Sequence, residues 1–230
     1  MNARLARYAG GVAFFSGFAS ILALVALILF FSLETTASSA QTPHLWGPIS
    51  DIAPIFQMAS LLIVALAFYL TQRTLVPRLS LISCLIGAVG SLGVVLPQIL
   101  LRLNILAFEQ EVTPVVFATA LVGVWLVLIN SMGQRQGILS SRLARLGIAT
   151  GIAFLLEPVM LSAAGGAVAW RVFMSNYLLL AGSAVVFLVS YVGFPVWAFW
   201  LGSVFIITNA TDWVDAQTMK PSAYSEGDRR

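Results

Sequence analysis

Six long apolar runs occupy most of this 230-residue chain, and their length decides what it can fold into. A helix needs about 20 apolar residues to cross a hydrocarbon core of roughly 30 Å, and each run comes close to that. Backbone amides in lipid must bond within their own segment, so runs of this kind are helices and not strands. The residues needed to cover a water-facing surface are missing: 60% of the chain is hydrophobic and 9% is charged. The chain is therefore expected to be all-α, a polytopic transmembrane bundle of six helices.

The runs predict helices at about 11–33, 52–70, 79–101, 114–130, 143–169 and 177–200, within a membrane domain over 1–208. A short polar tail follows over 209–230. Ser50 or Asp51 is placed to cap the second helix, with Pro54 in its first turn. Thr113 followed by Pro114 reads as a cap-then-proline start for the fourth. The first run is longer than a signal-peptide core, so it is expected to be retained despite the small residues Ser38, Ser39 and Ala40. The last two runs exceed what a bilayer needs, which predicts tilt or kinks, with SVFIIT beyond Trp200 lying along the surface.

Orientation follows from the basic residues. One side receives Arg4, Arg7, Arg73, Arg78, Arg135, Arg142, Arg145, Lys220, Arg229 and Arg230, and the other only Arg102 and Arg171. Such a bias marks the cytoplasmic side, so both termini are expected to be cytoplasmic. The opposite loops carry Glu34, Asp51, Glu109 and Glu111. The basic pI near 9.4 reflects this asymmetry and attraction to anionic lipid, not nucleic acid. Membrane lipids are the expected partners, with other membrane subunits as candidates.

The residue inventory closes several functional classes. His44 is the only histidine and lies in the first loop, so the runs hold no haem ligand. Cys84 is the only cysteine, without a disulfide or metal-ligand partner, and reads as a small packing residue. Lys220 is the only lysine and lies in the tail, which removes a Schiff base inside the bundle. No nucleophile elbow or HExxH motif occurs. No catalytic residue, metal ligand or cofactor site is expected.

Glu157 is the anomaly. It stands in IAFLLEPVML, near the middle of the fifth run, where an acidic residue costs on the order of 2.5–3.5 kcal/mol on insertion scales. Pro158 beside it interrupts the helical ladder. Glu157, Gln57, Gln98 and Arg102 form the candidate intramembrane polar site. Thr119 is a further partner, and Arg102 and Arg171 can snorkel inward from helix ends. The plainer alternative is a neutral glutamate that only satisfies its own kink. Gly87, Gly90 and Gly93, with the GxxxG pair Gly147 and Gly151, offer faces for close helix packing, either inside the bundle or against another subunit. Aromatic residues around FPVWAFWLG, with Trp197 and Trp200 foremost, read as an interfacial belt.

Arg142, Gly147, Gly151, Pro195 and Trp197 carry a resemblance, in NSMGQRQGILSSRLARLGIATG and FPVWAFWLG. They resemble a broad family of uncharacterised bacterial six-helix integral membrane proteins, a domain of unknown function. The likeness lies mainly in the second half, and Ser140 and Ser141 stand where that family often has a proline. It implies a bacterial inner membrane and no particular activity. The leading expectation is a non-enzymatic bundle acting by association, as an accessory subunit or a module for a lipid or other apolar ligand. The alternative is a small-solute transporter, or the binding component of an uptake system, with its site at Glu157.

Overall fold

The computed structural model describes residues 3–34, 45–163 and 177–207. Six helices fill them: α1 (Ala3–Leu29), α2 (Trp46–Gln72), α3 (Pro77–Arg102), α4 (Phe108–Arg135), α5 (Ser141–Ala163) and α6 (Tyr177–Ile207). A π-helical turn, Phe30–Glu34, extends α1. All six helices are long and apolar enough to cross a membrane, and no strand occurs among the described residues. Each helix packs on its predecessor and α6 returns to α1, so the bundle closes as a ring in chain order. His44, Arg171, Lys220 and the polar tail lie outside the described residues.

Local chemistry sets the helix ends. Two tight reversals use a left-handed residue, Asn104 (φ 55°) after α3 and Gly137 (φ 72°) after α4. In each, the following amide reaches back five residues, Ile105 N to Leu100 O and Ile138 N to Gly133 O, both at 2.9 Å. This is the Schellman closure, which satisfies the last carbonyls of a helix. Pro77 opens α3, where its missing N–H costs nothing. Ser140 caps α5, its Oγ accepting from Leu143 N at 3.4 Å.

Several boundaries differ from the sequence reading, and α1 already starts at Ala3 rather than at about 11. α2 starts at Trp46, so Ser50 and Asp51 are helical residues, not caps, and Ser50 Oγ donates to Gly47 O at 2.8 Å. Pro48 is accommodated because the first turn has no use for its N–H. α4 starts at Phe108, six residues before the expected proline. Gln110 Oε1 accepts from Ala107 N at 3.1 Å and closes that first turn, leaving Pro114 in the second. α6 runs straight through SVFII, with Phe205 buried against Phe68 (ring centroids 5.5 Å apart).

Seven exposed arginines, Arg4, Arg7, Arg73, Arg78, Arg135, Arg142 and Arg145, mark one end of the ring, the basic end. The other, acidic end carries Asp51, Arg102 and Glu111. Between α4 and α5 the backbones touch: a Cβ on Gly123 would fall 2.5 Å from Gly151 O. Gly87 lies against the Trp125 ring, Gly90 against Val122 and Gly93 against Ala118. The glycine faces are thus spent on packing inside the ring. With no hydrophobic drive between helices in lipid, such close contact is what holds them together.

Candidate intramembrane polar site

Glu157 projects from α5 toward α4 and α6. Thr119 Oγ1 on α4 donates to its Oε2 at 3.0 Å. Ser190 of α6 reaches the same carboxyl. Ser190 Oγ also lies 2.9 and 3.2 Å from the Val186 and Phe187 carbonyls of its own helix and donates there. Glu157 Oε1 is buried and has no partner. Thr119 Oγ1 is also 2.8 Å from Val116 O. A hydroxyl has one hydrogen, so Thr119 shares it between this carbonyl and the Glu157 carboxyl.

The site lies past the midpoint of the described part of α5. α5 begins at Ser141, so at about 1.5 Å per residue Glu157 stands roughly 24 Å from the basic end. It belongs to the half of the bundle nearer the acidic end. Pro158 follows it and deprives the Phe154 carbonyl of its helical donor.

A second polar cluster caps the acidic end. Gln98 Nε2 on α3 donates to Glu111 Oε1 on α4 at 2.8 Å, and Glu111 is only 3% exposed. Arg102 Nη1 pairs with Asp51 Oδ2 on α2 at 3.1 Å. Gln98 Oε1 is a second buried oxygen without a partner.

The four expected site residues therefore separate. Gln98 and Arg102 share the acidic end, while Glu157 meets Thr119 instead. Arg102 serves Asp51 and not Glu157. Gln57 is buried at the α1–α2 joint, where its backbone carbonyl, not its side-chain amide, accepts from Ser16 Oγ at 3.1 Å. Sequence reasoning missed Glu111 by placing it in a loop. A signal was present: Glu111, Val115, Ala118, Thr119 and Val122 follow one helical stripe.

Trp197 is not a belt residue. It is fully buried, and its Nε1 donates to Asn130 Oδ1 on α4 at 3.0 Å. Its ring meets Trp125 edge-on at 6.2 Å and Phe194 at 5.8 Å. A belt tryptophan turns its N–H to the headgroups; here α6 continues to Ile207, which places the indole inside. Trp200 remains on the surface at 38% exposure. Gly147 faces the Asn130 amide and leaves room for it.

Fold and site together define a polytopic helical membrane protein with a half-buried glutamate set among three helices. No protein-family model, curated protein or solved structure matches the chain.

Proposed function

We propose that this chain is a non-enzymatic protein of a bacterial inner membrane, with both termini cytoplasmic, that takes up a proton or small cationic solute at Glu157 and passes it across the bilayer. The observation that carries this reading is Glu157, half-buried among α4, α5 and α6, with one carboxyl oxygen buried and unpartnered. Acidic residues at membrane depth are costly and mark ion or proton pathways by default. Every polar group around it offers oxygen, which suits a proton or a hard cation. The Gln98–Glu111 pair and the Asp51–Arg102 pair lie on the acidic side, a polar approach from outside.

Association with another subunit, the leading expectation from sequence, loses its main support because the glycine faces are used within the ring. The exposed arginines at the basic end support the cytoplasmic placement.

Purified protein in lipid vesicles, with a pH-sensitive dye inside and an imposed inside-negative potential, tests the proposal. Glu157-dependent acidification is expected, with Glu157→Gln falling to the rate of empty vesicles while remaining folded. Equal rates for wild type and Glu157→Gln would refute it. Purification from native membranes with a stoichiometric partner would restore the subunit reading.

A further inference from the structure

Thr150 of α5 is fully buried, and its Oγ1 has no hydrogen-bond partner. Several buried hydroxyls donate to the carbonyl four residues back, as Ser60, Thr71 and Ser190 do at 2.7, 2.7 and 2.9 Å, while Ser83 and Ser183 share with Thr150 the lack of a partner. Thr150 makes no such bond. Its hydroxyl is turned instead toward α6, where a Cβ on Gly193 would fall 2.7 Å from Oγ1. An orphaned polar atom of this kind normally finds an ordered water or ligand.

Glu157 lies seven residues further along α5. Two helical turns bring it back to the same face about 10 Å nearer the acidic end, and its Oε1 is likewise unpartnered. Between the two stands Phe154, nearly fully buried. Its ring is 6.3 Å from Tyr191 and 6.2 Å from Phe194. One seam thus carries an unpartnered carboxyl oxygen, an aromatic layer and an unpartnered hydroxyl, in that order.

We infer that Glu157 and Thr150 are two stations on one proton path along the α5–α6 seam, with the Phe154 ring as the barrier between them. The inference rests on the proposed role of Glu157 and names its cargo as the proton. A metal cation would have to shed its oxygen shell to pass an aromatic ring, whereas a proton needs only a transient water. When the ring turns aside, the Glu157 O–H bond breaks and its electron pair stays on the carboxylate. The proton adds to a water hydrogen-bonded to Thr150 Oγ1, that water releases a proton to water on the basic side, and the carboxylate takes one from hydronium on the acidic side. One proton moves and nothing is oxidised or reduced.

The same vesicle assay tests it. Phe154→Ala opens room for water and is expected to raise proton entry about tenfold over wild type, equivalent to a barrier lower by roughly 1.4 kcal/mol. Phe154→Leu, which keeps most of the apolar volume, should give a smaller rise and guards against a folding defect. Helical circular dichroism and a monodisperse elution profile establish that each variant folds. Adding Thr150→Val or Glu157→Gln to Phe154→Ala should abolish the rise. The path is overturned if folded Phe154 variants conduct as wild type does, or if the rise survives Thr150→Val. In either case, Glu157-dependent wild-type flux would leave the parent reading standing. Absence of Glu157-dependent flux in every protein overturns both.

Discussion

Gly147→Ala tests the packing logic of the bundle most directly. Gly147 faces Asn130 so closely that a Cβ there would overlap the amide group. Asn130 is fully buried, held by Nδ2 donating to Leu126 O at 2.8 Å and by accepting from Trp197 Nε1. An added methyl must push the amide off the indole or force α4 and α5 apart. Overpacking costs about 1–3 kcal/mol, and an interhelical hydrogen bond in a membrane protein contributes about 0.6 kcal/mol and at most about 1.7. The two effects together predict a loss of roughly 2–4 kcal/mol. Detergent-induced unfolding in mixed micelles, followed by far-UV circular dichroism, measures it, and the near-UV signal reports on Trp197. Gly11→Ala is the control: nothing lies within 4 Å of its Cβ, so a change within about 1 kcal/mol is expected, in the stabilising direction. The decisive step is to repeat Gly147→Ala in an Asn130→Ala background, where no amide remains to collide with. There the cost should fall to about 1 kcal/mol or less, as expected for coupled neighbours. An undiminished cost in that background would refute the assignment of the clash to Asn130.

Gln98→Leu removes the donor to the buried Glu111 carboxyl and should cost about 1–3 kcal/mol in the same titration; an unchanged midpoint would mean Glu111 has another donor. Arg102→Ala breaks a pair whose side chains are 38% and 23% exposed, so its loss should be about 0.2–1 kcal/mol and shrink with added salt. A larger loss, insensitive to salt, would mean that Arg102 also offsets Glu111.

The six spans were legible because length and apolar composition suffice to define a membrane helix, whichever way its faces turn. Which faces meet was not legible, because that depends on contacts between segments far apart in the chain. The glycines show the distinction well. GxxxG at Gly147 and Gly151 announces close approach, yet only the assembled ring reveals that the approach is to Asn130 and Gly123. Trp197 was misplaced for a related reason. The aromatic cluster looked terminal, and nothing in one dimension showed that Phe205 would find Phe68 and carry α6 onward.

Glu157 and Thr150 differ in a more instructive way. A carboxyl inside an apolar run announces itself, because its cost is intrinsic to the residue. Threonine in a membrane helix is ordinary, since its hydroxyl usually bonds the preceding turn. Ser83 and Ser183 also lack that bond, and what sets Thr150 apart is its combination with a glycine on the facing helix that leaves the hydroxyl room. Both facts belong to the α5–α6 seam and to neither helix alone. Function that resides in a seam is therefore half visible in the sequence, where the expensive residue stands out and the inexpensive partner that completes the path does not.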